Sequence, residues 1–190
     1  MPDLRRRGSV RAAGDDLTVL LAYADPPYLG CCKLYGHEHN DSGLKPWDGL
    51  CWDDIDTHKL LLTTLAEAYD GWAYSMTSTS LARLLPIAPP CRVAAWTKSF
   101  AAFKRNVRIA YTWEPVLFVP GRDRSVDGAP VGRDHIAESI TLRRGFTGTK
   151  PPRVCAWILD LLGYVDGDVV VDLFPGTGVM GDVVAQGRLL

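Results

Sequence analysis

Residues 23–30 read YADPPYLG: an acid, two prolines and a tyrosine at the end of the apolar run LTVLLAYA (17–24). Neither Pro26 nor Pro27 has an N–H to give to a sheet ladder, so the strand must stop there. Asp25 and Tyr28 then project from a corner whose shape the proline rings fix, either as a plain turn or as a site. A second stretch, VVVDLFPGTGVMGD (169–182), runs an apolar strand into Asp172 and a glycine-rich turn, Leu173, Phe174, Pro175, Gly176, Thr177 and Gly178. Its glycines allow a tight turn and let a ligand approach the backbone without a Cβ in the way. The helix that follows offers N–H groups to something anionic or polar. The spacing is neither G-x-G-x-x-G nor the Walker pattern, so neither a dinucleotide nor a nucleoside triphosphate is the natural ligand. Alone, this stretch also reads as a simple strand-to-helix turn.

The elements that must hold these residues alternate. LTVLLAYA is a buried-type strand, residues 29–52 a long loop, and 53–70 a helix with acids in its first turn and Leu61, Leu65 and Ala68 at helical spacing. GWAYSM is a short strand, TSLARLLP a short capped helix, and CRVAAWTK another strand. RIAYTWEPVLFVPG reads as one or two edge strands bent near Pro115. Residues 120–147 are polar, basic and aperiodic. KPPRVCAWILDLLG restarts a helix with Pro151 and Pro152 in its first turn, DGDVVVDLF is a strand, and a last helix begins near Val179. Strands alternating with helices imply an α/β fold with a mostly parallel sheet.

The 190 residues, 47% hydrophobic, suffice for a single domain, taken as 17–190 behind a flexible basic arm over 1–16. No apolar run is long enough to cross a bilayer, and the basic start has no apolar segment after it, so no membrane or secretory signal is expected. Five cysteines without a C-x-x-C pair argue for a reducing compartment, and the cytoplasm is the expected location. The net charge of −1 hides an asymmetry. Residues 92–153 hold twelve Lys or Arg against five acids, while the flanking segments 25–91 and 154–190 are acidic. Such a basic third suits a polyanion, or is a solvated charged surface.

Asp-Pro-Pro-Tyr after one strand and D-x-F-x-G-x-G after another resemble the S-adenosylmethionine-dependent amino-methyltransferases of DNA. The order, with DPPY first, a basic variable stretch, GTKPPRVCAWILDLLG and then the glycine turn, is similar to the circularly permuted beta group of that family. YDGWAYS, WEPVLF and ITLRRGFTGTKP look like the small methylases of actinobacteria and their phages. The resemblance spans roughly residues 20–185. It implies a Rossmann-like methyltransferase fold and transfer of a methyl group to the N6 amine of adenine in DNA. Cytosine N4 is the nearest alternative, since Asp at the first motif position favours adenine. A methyltransferase of RNA or protein amines, and a catalytically weak DNA-binding methylase-fold protein, are the other readings.

In that reading the Asp25 carboxylate and the Pro26 carbonyl take the two hydrogens of the target amine, with Pro27 stiffening the corner. This favours a pyramidal nitrogen and frees its lone pair, and the fixed carboxylate stabilises the positive charge that develops. The base must leave the duplex, and Tyr28 would stack on it. The resemblance places Asp172 and the turn Phe174 to Gly178 around the methionine end of S-adenosylmethionine, with Lys150, Gly148 and Thr149 opposite. Arg143 and Arg144 would contact DNA phosphates. Trp72 and Trp113 are candidates to help hold a base; Trp47, Trp52, Trp96 and Trp157 read as core or pocket walls. Cys31, Cys32, His37 and His39 match no standard zinc spacing, so no metal is expected. Ser75, His58 and His135 form no credible triad. The sequence ends at AQGRLL, so the last strands and the family's usual ribose-binding acid have no counterpart in it. A recognition region confined to about 120–147 is short for reading several base pairs, which a homodimer would remedy.

Overall fold

The computed structural model describes residues 18–31, 50–100, 107–122, 131–140 and 149–187. The basic arm 1–16, most of the 29–52 loop with Cys32, His37, His39 and Trp47, and Arg143, Arg144 and Gly148 lie outside the described residues.

Among the described residues, six strands form one sheet: β1 (Leu20–Ala24), β2 (Gly71–Ser75), β3 (Arg92–Thr97), β4 (Trp113–Val119), β5 (His135–Ala137) and β6 (Val169–Asp172), in the order β5-β3-β4-β2-β1-β6. β1 pairs in parallel with β2 and with β6, and β3 in parallel with β5. Among these described strands, β4 alone runs against its neighbours, β2 and β3. The sheet is therefore mostly parallel, as the alternating sequence pattern implies.

Four helices cover it: α1 (Ile55–Ala68), α2 (Ser78–Leu84), α3 (Pro152–Leu162) and α4 (Val179–Ala185). Asp54 caps α1 by accepting the Asp56 N–H at 3.0 Å, and Leu61, Leu62 and Leu65 turn inward at helical spacing. Pro151 and Pro152 start α3, where a missing N–H costs nothing. Gly163 ends it at φ +70°, a left-handed conformation that suits glycine. Thr77 heads α2, but its side chain bonds the hydroxyls of Thr79 and Ser80 and not a backbone amide, so the expected side-chain cap is missing.

The strands sort the helices into two layers. Leu21 and Tyr23 pack with α3 and α4, while Ala22 and Ala24 pack with α1 and α2. β1 is thus buried on both faces, which explains its unbroken apolar run.

One expectation needs correcting. β4 is an interior strand, not an edge, and Val116, Leu117 and Phe118 are buried on its two faces. Pro115 is tolerated because β2 runs out there: its carbonyl still takes the Met76 N–H at 3.2 Å, and the absent N–H falls beyond the last β2 pair. Within the aperiodic stretch 120–147, His135–Ala137 forms β5 at the edge beside β3. No described helix is long and apolar enough to cross a membrane.

Candidate functional site

In an open α/β sheet, ligands bind beyond the carboxyl ends of parallel strands, where chains leave toward opposite faces. β1 and β6 meet that condition. The chain after β1 leads to α1 on one face, and the chain after β6 leads to α4 on the other. Tyr23 and Asp172 are register partners, and the Leu173 N–H donates to the Tyr23 carbonyl at 2.9 Å. Asp25 and the glycine turn therefore flank one crevice. Because β4 is reversed, its first residues, Trp113 and Glu114, arrive at the same edge as Thr97 and Lys98 at the end of β3. Lys150 reaches it from the segment before α3.

The centre of the site is a charge cluster. The Lys150 ammonium donates to Asp25 Oδ1 (2.8 Å), Asp25 Oδ2 (2.7 Å) and the Tyr28 hydroxyl (2.9 Å). It also lies 3.4 Å from Glu114 Oε2. Glu114 Oε1 takes Lys98 at 2.5 Å. The single proton of the Tyr28 hydroxyl has two acceptors, Asp25 Oδ1 at 2.9 Å and Glu114 Oε2 at 3.0 Å. Two acids and two lysines thus balance in a confined space, with the Lys150 side chain 7% exposed and that of Asp25 20%. Beneath them lies the Trp96 ring, with Lys98 Nζ 4.9 Å and Lys150 Nζ 5.8 Å from its centre.

Burial and charge set the protonation states. Burial alone would push the Lys150 ammonium down, but Asp25, Tyr23, Tyr28 and Glu114 outweigh it and hold the group well above the usual lysine range. Burial would push Glu114 up, yet Lys150 and Lys98 keep it below the usual carboxylate range. Burial and then Asp25 raise the Tyr28 phenol, so it stays neutral and donates. Asp172 differs. Burial lifts its carboxyl to about 6, against a stabilising bond from the Phe174 N–H at 3.1 Å. A carboxyl at that value, beside an open turn, is the kind of perturbed group that marks functional sites.

The glycine turn is open where a ligand would approach. Gly176 and Gly178 take φ +50° and +79°, and a Cβ added at Gly178 would meet nothing within 4 Å. Thr149 Oγ1, next to Lys150 in the chain, is buried without a hydrogen-bond partner among the described residues. An open turn beside a buried carboxyl, and an orphaned hydroxyl at Thr149, fit a ligand with polar and cationic groups.

Asp25, Tyr28, Lys150, Asp172 and the 173–178 turn, chosen from sequence, thus converge on one edge. Their roles shift in detail. Lys150 turns its ammonium to Asp25, and Tyr28 is 8% exposed with its hydroxyl tied to both acids. Phe174 packs edge-on against Trp52, with centroids 5.2 Å apart. Trp72 is 1% exposed inside the core and cannot hold a base. Glu114 and Lys98 were not singled out. The signal for Glu114 is an acid heading an otherwise apolar strand, and only the reversed direction of β4 brings it to the site.

Neither a protein-family model nor a curated protein matches the chain in sequence. Among solved structures, it is similar to M1.HpyAVI in complex with SAM, with a TM-score of 0.54 and 16% identity over 90% of this chain and 79% of that one. A second structure of M1.HpyAVI gives a TM-score of 0.49 and 10% identity over 90% and 77%. At such identity, what the first comparison shows is a shared fold.

Proposed function

We propose that the chain is a methyltransferase that uses S-adenosylmethionine to methylate the N6 amine of adenine in DNA, of the circularly permuted beta type. The observation that carries this reading is the placement of Asp25 and the Asp172–Gly178 turn at the carboxyl ends of adjacent parallel strands. Strands so paired lie about 4.8 Å apart, which brings an amine-binding carboxylate and a cofactor cradle within reach of one another. The neighbour that shares the fold was solved with SAM, which supports the same cofactor here.

When bound, the cofactor supplies an electrophilic methyl group on a sulfonium sulfur. Asp172, the open glycine turn and Thr149 would hold its methionine end. Asp25 accepts one hydrogen of the target amine and the Pro26 carbonyl the other, which directs the nitrogen lone pair toward the crevice. The carboxylate then stabilises the charge that grows on nitrogen. Tyr28 donates to Asp25 and fixes its orientation, and its ring remains the candidate stacking surface for a flipped base. Arg143 and Arg144 are proposed to contact phosphates, and a homodimer to widen the surface that reads DNA. A bacterial or phage-infected cytoplasm is the proposed setting, with cytosine N4 as the alternative target.

One observation favours a rival reading. Lys150 engages both oxygens of Asp25, as would suit a methylase-fold protein that binds DNA with little turnover. Titration of S-adenosylmethionine into the chain beside an Asp172→Ala control tests the cofactor site. Micromolar binding that the control loses supports the enzyme; no binding to a folded chain removes it.

A further inference from the structure

An ammonium group has three N–H donors. Lys150 directs short contacts to Asp25 Oδ1, Asp25 Oδ2 and the Tyr28 hydroxyl, which account for all three. A substrate amine that docks on Asp25 competes with Lys150 for the same two oxygens and weakens its hold on them. Removing a buried ammonium from its carboxylate leaves an uncompensated charge unless another anion stands ready. Glu114 Oε2 is that anion. It lies 3.4 Å from Lys150 Nζ, within ion-pair reach, and about 2.8 Å is the ordinary charge-assisted distance. Lys98 on Oε1 and Tyr28 on Oε2 fix Glu114 in place.

We infer that Glu114 is a second seat for the Lys150 ammonium: a positioning residue that takes Lys150 over from Asp25 when a substrate amine claims an Asp25 oxygen. Tyr28 completes the exchange. Its one proton bridges the two acids, so as Lys150 moves to Glu114 the hydroxyl turns to Asp25, and each carboxylate keeps a donor. No charge leaves the cluster. The two-seat geometry stands on the distances alone; its part in turnover rests on the methyl transfer proposed above.

The test reads Lys150 directly, as its rate of acylation by acetic anhydride, followed by mass spectrometry and normalised to the exposed Lys59. In Asp25→Ala the ammonium retreats to Glu114, and labelling stays within about threefold of the parent chain, as one retained charged contact implies. In Asp25→Ala/Glu114→Gln no seat remains, and labelling rises about tenfold or more. A single Asp25→Ala variant, cooperatively folded by its thermal transition, that already labels as fast as the double variant overturns the inference. So does a folded double variant that labels as slowly as the single one. Should the double variant not fold, Glu114→Gln decides by kinetics. Its kcat falls about tenfold to a hundredfold while KM for DNA and Kd for S-adenosylmethionine stay within about threefold, and Glu114→Asp recovers part of the loss. An unchanged kcat, or a loss shared equally by cofactor affinity and thermal stability, overturns it. A parent chain that labels as expected yet methylates no DNA ends the proposed function and leaves the two seats standing.

Discussion

Asp172 is the residue whose chemistry and stability pull in opposite directions. Burial lifts its carboxyl from about 3.8 to about 6, so the folded chain keeps a proton there that the unfolded chain releases. Because the folded value is the higher one, the stabilisation is full below about pH 4 and is lost as pH rises through 6; the change is at most about 3 kcal/mol. Asp172→Asn is therefore expected to raise the melting temperature at pH 8 and to leave it nearly unchanged at pH 4, by scanning calorimetry at both. The same variant is expected to weaken S-adenosylmethionine binding. Affinity of the parent chain should fall as pH drops from 8 to 5, while that of the Asn variant stays flat, measured by titration. A function that strains the fold in this way is a recurrent trade-off. Most of the site was legible at this level, because Asp25, Tyr28, Asp172 and the glycines stand in compact local motifs. What was not legible is pairwise: Lys150 and Asp25 are 125 positions apart, and no local pattern shows that they touch.

Elements deliver those residues to one edge, and a close backbone contact braces the other end of the sheet. Gly71, the first residue of β2, lies so near Gly121 that a Cβ on Gly71 would sit 2.3 Å from the Gly121 nitrogen. Gly121 in turn donates to the Leu162 carbonyl at the end of α3. Gly71→Ala is expected to destabilise the chain by about 1–3 kcal/mol through overpacking, with a matching drop in the urea midpoint. A midpoint within error of the parent would show that this joint gives way freely. At the opposite end of the sheet from the site, Asp168 accepts the Val19 and Val165 N–H groups and pairs with Arg122 at 2.5 and 2.8 Å. One acid thereby ties the entry to β1 to the turn before β6. The helices and the β1 and β6 strands could be read from periodicity and turn residues. β4 could not, because Pro115 signals an edge while the apolar run PVLFV signals an interior strand, and only pairing settles which wins. The three-residue β5 is too short to carry a pattern at all.

For the molecule as a whole, the charge distribution is what bears on the DNA partner proposed above. The segment with twelve Lys or Arg against five acids includes β3, β4 and β5, while the segments that carry β2 and β6 are acidic. Binding to a short DNA duplex is expected to weaken steeply with salt. Four to seven neutralised phosphates correspond to a slope of about −4 to −6 in log K against log salt concentration, by fluorescence anisotropy. A slope near zero would mean that the basic third faces solvent only. The layered architecture followed from alternation along the sequence, and the reversal of β4 did not, because strand direction is set by long-range pairing. The proposed function turns on methyl transfer to an exocyclic amine, centred on Asp25. Its most direct test is incorporation of a labelled methyl group from S-adenosylmethionine into DNA by the parent chain and by Asp25→Ala, followed by base analysis. N6-methyladenine is expected from the parent chain, with a loss of at least about a hundredfold in the variant, whose cofactor affinity is kept. A folded parent chain that binds the cofactor yet leaves every DNA amine unmethylated, or an Asp25→Ala variant as active as its parent, would contradict it.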